Sequence, residues 1–434
     1  MRQTSRYRWF VVAVFFLFML LHQTDKLLVG PLTSRIMETF GINEAQMGAV
    51  FTGALLVGAI LYPIWGYLYD RFARARFLAL ASAIWGATTW LSAIAPTYPT
   101  FLATRASTGI DDSSYPGLFS LISDYFGPAL RGKVYGLLQL TQPLGYLIGM
   151  VAALILGEAM GWRSVYFITG TLGIVMAAVI YFGVKEMPRG QSEPEMEGLE
   201  QVGVYRFDKK IALGLFRKKS LLMLFAQGFA GVFPWNVITF WFFRYLEVER
   251  GYDSTAILVT MAPAVLVLAA GYFVGGAIGD FLFKRTTRGR IFTALVGVIT
   301  GAVLLYFTIN VPIQDTGRFM GLLMLTALFI PFASPNVIST VYDITLPEVR
   351  STALAIQYFI EDAGAALAPL MAGIIAANSS LSNAILIICI SAWIMGTIFL
   401  SFTAYLVPSD IATLRGQMKA RAQAEKSAQG DLAG

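Results

Sequence analysis

Gly66-Tyr67-Leu68-Tyr69-Asp70-Arg71-Phe72-Ala73-Arg74 closes the second of a series of long apolar runs. Its outline returns in the second half of the chain as Gly276-Ala277-Ile278-Gly279-Asp280, followed by Lys284. Each copy reads glycine, three residues, aspartate, three residues, base. A second echo is independent of the first: Asp124, Pro128 and Arg131 follow the fourth run, and Asp343, Pro347 and Arg350 follow the tenth at the same internal spacing. Two matched signatures in register imply a duplicated unit. A helix needs ~20 apolar residues to cross about 30 Å of hydrocarbon. That ruler gives spans near 9–30, 45–69, 77–95, 100–126, 134–156 and 165–183, then 221–246, 257–283, 291–309, 320–341, 352–376 and 385–406. The expected architecture is an all-α membrane protein with twelve transmembrane helices in two pseudo-symmetric six-helix bundles. Its parts are a first bundle over 1–184, a polar linker over 185–219, a second bundle over 220–407 and a tail over 408–434, the tail forming a surface helix or staying disordered.

Composition agrees. Of the 434 residues 56% are hydrophobic and 13% charged, against about 45–50% and 25% in soluble domains. The net charge of +6 does not point to nucleic acid, because the bases sit in short loops between spans. Arg71, Arg74, Arg76, Arg131, Lys133, Lys284, Arg285 and Arg350 fall on the side of both termini, while the opposite loops carry Arg35, Arg163, Arg250 and Arg318. The excess marks the cytoplasmic face, so both termini are expected inside the cell membrane. One cysteine and one histidine leave no disulfide framework, zinc site or other metal centre to build. No Walker-type phosphate loop appears, so ATP is not the expected energy source. No cofactor is expected, and no nucleophile arrangement suggests an enzyme.

At these residues the chain resembles the major facilitator superfamily. The turn from Gly66 to Arg74 is similar to that family's Gly-x-x-x-Asp-Arg-x-x-x-Arg loop, and Gly276 to Lys284 to its degenerate second copy. The resemblance implies that Asp70, Arg71, Arg74, Asp124, Arg131 and Asp280 are gating residues that latch the bundles during an inward–outward switch. His22-Gln23-Thr24-Asp25-Lys26 in the first span, and Thr104-Arg105 followed by Thr108 to Pro116 in the fourth, are similar to spinster-like lysolipid transporters and to proton-coupled organic-anion symporters. Two departures stand out. Lys26 replaces an arginine, and the pair Asp111-Asp112 replaces a glutamate.

Asp25 and Arg105 each lie in a long apolar run, where an unpaired ion costs at least ~2.5–3.5 kcal/mol. At ~1.5 Å per residue, Asp25 lies about 24 Å from the start of its span and Arg105 about 8 Å from the opposite surface. The depths allow a pair. Position i+7 returns to one helix face, so Asp112 is expected to share Arg105's face and Asp111 to point about 100° away. Asp112 is the preferred acid and Asp111 the alternative. A desolvated carboxylate beside a guanidinium can exchange protons as access alternates, so Asp25, Arg105, Asp112 and Asp111 are the proton-coupling candidates.

Arg105, Lys26, Tyr115, Trp235, Asn236, Thr239, Asn336, Tyr358, Glu361 and Asp362 are the substrate-binding candidates. Each has a plainer reading. Lys26 and Arg244 are expected to snorkel outward, His22 to be simply hydrogen-bonded, and the aromatics of the seventh span to face lipid. Pro331 and Pro335 interrupt the tenth span, where irregular backbone is tolerated only against protein or water.

The resulting expectation is a monomeric secondary active transporter in the lipid bilayer, working by alternating access and coupled to protons. Its substrate would be an amphiphile such as a lysophospholipid. A symporter of small organic anions is the alternative, a drug exporter the third, and a sensor or membrane enzyme is disfavoured.

Overall fold

A computed structural model describes residues 5–112, 114–126, 134, 137–138, 140–187, 215–345 and 350–433. Among these residues the chain is helical, with no strand. Eleven helical stretches are long and apolar enough to cross a membrane. They correspond to all the expected spans except the fourth.

The fourth span is broken by its own hydroxyls. It runs as α5 (Tyr98–Ser107), α6 (Gly109–Asp112) and α7 (Tyr115–Tyr125), where α1 (Ser5–Leu27), α2 (Val29–Phe40), α3 (Glu44–Arg71) and α4 (Arg74–Ile94) precede it. Ser107 and Thr108 donate to the carbonyls of Thr104 and Arg105, both at 2.7 Å. The Thr108, Ser114 and Gly117 amides likewise bond three residues back rather than four. Side chains that compete for backbone carbonyls tighten and interrupt a helix. The path from Arg105 to Asp112 is therefore not the straight helix that an i+7 spacing presumes.

α8 (Thr141–Met160) and α9 (Trp162–Gly183) complete the first six spans. α9 packs against α4 at backbone distance. A Cβ on Gly86 would meet the Gly170 carbonyl at 2.7 Å, and Ser82 donates to the Gly173 carbonyl at 2.8 Å. Small residues of this kind let transmembrane helices approach closely. The same contact carries Thr89 and Thr169, each within a turn of it, toward the first span.

The second series comprises α10 (Lys219–Val248), α11 (Ser254–Phe283), α12 (Gly289–Ile309) and α13 (Thr316–Phe329). A single 3-10 turn (Ile330–Phe332) joins α13 to α14 (Ala333–Ile344), and α15 (Arg350–Ala365), α16 (Ala368–Asn378) and α17 (Leu381–Ala433) follow. Pro331 and Pro335 explain the interrupted tenth span, since proline lacks an amide hydrogen for the helical ladder. α17 continues through Pro408, so the tail begins as an extension of the last span. Linker residues 188–214 lie outside the described residues.

Contacts sort the chain into two compact units whose limits depart from the sequence halves. The first gathers 1–205, 236–262 and 365–385; the second gathers 206–235, 263–364 and 386–434. Two of the boundaries fall at prolines inside continuous helices, Pro234 in α10 and Pro263 in α11, and a third beside the break between α15 and α16.

Candidate functional site

The site lies in the first unit. Asp25, on the last turn of α1, is 2% exposed. Its Oδ1 accepts from Thr169 at 2.5 Å and its Oδ2 from Thr89 at 3.1 Å. Arg105 Nη1 stands 3.9 Å from Oδ2, an ion pair rather than a hydrogen bond. The expected Asp25–Arg105 pairing is present, but two threonine hydroxyls hold the carboxylate. The guanidinium stacks over the Tyr166 ring at 5.1 Å, and its buried Nη1 has no hydrogen-bond partner. Arg105 is thus a desolvated cation with a donor to spare.

One helical turn before Asp25, His22 is buried. Its Nε2 lies 2.7 Å from Asp111 Oδ2 and its Nδ1 2.6 Å from the Tyr115 hydroxyl. Gln23 Nε2 donates to the same hydroxyl at 3.1 Å. Phe18 stacks on the imidazole and Trp85 meets it edge-on. Trp65 holds the broken α6 in place by donating to the Ile110 carbonyl. The break turns Asp111 into the interior, where it is 1% exposed. It does not point away from Arg105's face as the wheel implied. The side chain of Asp112 lies outside the described residues.

These groups surround one cavity. His22, Asp25, Lys26, Arg105 and Asp111 supply its polar wall, and Val29, Val50, Phe51, Leu55, Trp85 and Phe240 its apolar wall. Lys26 therefore lines the cavity instead of snorkelling outward.

The end of this unit nearest Glu44 is closed. Phe51 stacks on Phe240 with centroids 4.5 Å apart. Arg244 does not snorkel: it donates to Glu44 at 2.7 Å and to Ser34 at 2.9 Å. α3 lies against α16 so closely that a Cβ on Gly48 would meet the Pro369 carbonyl at 2.7 Å. Trp241 donates to that carbonyl at 3.1 Å.

The remaining candidates are placed elsewhere. Asn236 and Thr239 are buried in the first unit but do not line the cavity. In the second unit, Trp235 and Tyr358 are partly exposed and Asp362 is exposed. Asn336 gives both amide hydrogens to backbone, at 2.9 Å to Gly275 and 2.8 Å to Phe332, which braces α14 on α11. Glu361 accepts from Gln357 at 2.8 Å and its carboxylate sits against Gly228 of α10.

Among the gating candidates, Arg74 is 1% exposed and contacts Asp124 at 2.5 Å and Glu186 at 2.8 Å. It also donates to the Ser120 hydroxyl and the Met187 carbonyl. In the second unit Asp280 pairs with Arg290 at 2.7 Å, and Arg290 also reaches Asp343. Arg131 and the side chains of Asp70 and Arg71 lie outside the described residues. Sequence reading did not single out Glu186, Arg290, Thr89, Thr169 or Tyr166. A threonine in an apolar run carries no signal of its own, and Arg290 sits beyond the spacing of the first repeat.

The model of the Major Facilitator Superfamily matches residues 14–313. The chain belongs to that superfamily. Relatives of this member include the protein spinster of Drosophila melanogaster, 28% identical over 386 residues, which cover 86% of this chain and 62% of the fly protein. The chain thus spans less than two thirds of that relative's length. A hexuronate transporter of Bacillus subtilis is 23% identical over 378 residues, covering 84% of this chain and 87% of its own. A crystal structure of a bacterial homolog of the human lysosomal transporter spinster, inward-facing and unoccupied, superposes with a TM-score of 0.78. It is 18% identical and covers 95% of this chain and 99% of the other, which shows a shared fold. The superfamily member described here is a multi-pass membrane transporter, not an enzyme.

Proposed function

We propose that this transporter is a proton-coupled symporter of an organic solute bearing a single negative charge. The buried Arg105 Nη1 without a hydrogen-bond partner carries the reading. A desolvated guanidinium with an unused donor is costly unless an anion completes it. Asp25 is occupied by Thr89 and Thr169, which leaves Arg105 only its loose ion pair. With Lys26 on the same wall, the cavity suits one carboxylate or one phosphodiester. The hexuronate transporter among its relatives handles a substrate of the first kind, by name. With the basic loops cytoplasmic, the termini lie inside the inner or plasma membrane. The closed Glu44 end then faces outward, and a monomer completes the cycle by alternating access.

Purified protein in liposomes, given labelled glucuronate, gluconate or benzoate, should accumulate at least one of them when the outside is acidic. Arg105→Gln should abolish accumulation. Arg105→Lys should weaken it, because an ammonium lacks the planar fork. If no singly charged carboxylate enters above empty liposomes, the carboxylate reading is wrong. A second reading rests on the apolar wall from Val29 to Phe240, which fits the chain of a lysophospholipid whose phosphate meets Arg105. Uptake of labelled lysophosphatidylglycerol instead of carboxylates would favour it.

A further inference from the structure

Glu361, in the second unit, is an acid at membrane depth whose partner is an amide. It lies about 16 Å along α15 from Arg350. Among the described residues its hydrogen bond comes from Gln357, at 2.8 Å. We propose that Glu361 is seated here as a neutral acid bonded to Gln357, and that uptake and release of this proton let a pH gradient drive transport. The proposal rests on the proton-coupled reading above and adds the carrier; it holds for either class of anion.

The hydrogen bonds of Gln357 point to the proton. Its side chain is buried. Its Nε2 donates to Glu361 Oε1, while its own Oε1 is buried with no donor. A buried acceptor left unanswered is costly. Turning the amide over does not help, because its oxygen would then face the carboxylate and its NH2 would be the buried orphan. An ionised carboxylate only accepts, so it matches one end of the amide at most. A carboxylic acid matches both: one oxygen accepts from Nε2, and the hydroxyl on the other donates to Oε1. A proton on Glu361 is the donor that Gln357 lacks.

The surroundings favour the same state. A Cβ on Gly228 would meet Glu361 Oε1 at 2.7 Å, so the carboxyl rests on the α10 backbone. α10 is helical there, and its amides are spent on its own ladder. Between Ser220 and Phe243 that helix carries no titratable side chain. α15 itself supplies Asp362, which adds a like charge, and Tyr358 a turn earlier. Asp25, by contrast, has two hydroxyls and a guanidinium. An ion at membrane depth needs such partners, and a neutral acid does not. A metal ion would find one oxygen from each side chain here, where hard cations take about six. The seat also has a mechanical consequence. Gly364 brings the two helices equally close, since a Cβ there would meet the Phe229 carbonyl at 2.8 Å. Within two turns of this contact come Pro234 in α10 and the break after Ala365, where each helix passes out of the unit. Loss of the proton sets an ion against that backbone and loosens α15 from α10 at this point.

Infrared spectra of the protein in nanodiscs test the proton directly. Wild type should show a carboxylic-acid C=O band that is missing in Glu361→Gln and displaced or lost in Gln357→Leu. Spectra in which wild type and Glu361→Gln match throughout pH 5 to 8 overturn the proposal, as does a band that Gln357→Leu leaves unmoved. Glu361→Gln keeps the neutral shape, because two amides also pair at both ends, so it should fold. In liposomes it should lose at least tenfold in glucuronate accumulation driven by a pH gradient. Accumulation equal to that of wild type overturns the carrier. So does wild-type accumulation driven by a sodium gradient at equal pH, which marks sodium as the coupling ion. A tenfold loss without a Glu361 band means a structural role and overturns the proposal too. If wild type accumulates no carboxylate under a pH gradient, the symport reading has failed, and the infrared band alone upholds or overturns the proton on Glu361.

Discussion

The two halves of the chain carry the same kind of charged cluster in different surroundings. In the first half Arg74 bridges Asp124 and Glu186, with the Arg74 and Asp124 side chains 2% and 6% exposed. In the second, Arg290 bridges Asp343 and Asp280, whose side chains are 22% and 62% exposed, with Arg290 itself at 17%. Asp124 and Asp343 hold matching places in the repeat, and both bases open a helix, α4 or α12. The base has nonetheless moved. In the first copy it stands four residues after Asp70; in the second Lys284 holds that place, but Arg290 makes the contacts. Duplication kept a base between two acids through a different residue. It kept one copy desolvated and left the other open to water.

That difference sets the size of each response. Arg74→Ala strands Asp124 and Glu186 and should cost about 3–5 kcal/mol, as loss of one partner from a buried pair does. A large drop in the apparent melting temperature in detergent would show it. A drop no larger than that from breaking the exposed cluster would erase the distinction. Asp124→Asn should cost less, about 1–3 kcal/mol, because Arg74 keeps Glu186 and Met187 while one charged partner becomes neutral. Arg290→Ala should cost about 1 kcal/mol or less, the ordinary worth of an exposed pair. The smallest effect comes from salt. Raising it from 0.1 M to 1 M shortens the screening length from about 10 Å to 3 Å, so it should shrink the Arg290→Ala difference and leave the Arg74→Ala difference nearly intact.

The closed Glu44 end permits a further contrast. Arg244→Ala removes a contact with Glu44 and Ser34 that must break if the two sides open in turn. It should shift the population toward the opposite opening without greatly lowering stability. Cysteine pairs across α3 and α16, tested for crosslinking, measure the shift.

Much of the fold was legible in the residues because hydropathy and duplication are properties of the chain itself. Eleven spans appear as read, since a run of apolar side chains leaves a buried helix as the way to satisfy its backbone in lipid. Asp25 and Arg105 were legible for the same reason: a charge inside such a run stands out. The fourth span was misread as straight, because short-range bonds from Ser107 and Thr108 depend on rotamers that composition does not reveal. Asp111 lines the cavity beside Arg105, while the side chain of Asp112 lies outside the described residues.

The sequence by itself determined that this is a duplicated, twelve-span transporter of the Major Facilitator Superfamily, and which ions lie at membrane depth. The tertiary structure decided what each ion touches. Thr89 and Thr169 reach Asp25 because Gly86 and Gly170 let α4 and α9 meet at backbone distance. His22 meets Asp111 because a broken helix turns that carboxylate inward. Hydropathy is additive along a chain and can be summed from residue types. Pairing depends on angles and distances of a few ångströms, which only the packed helices set.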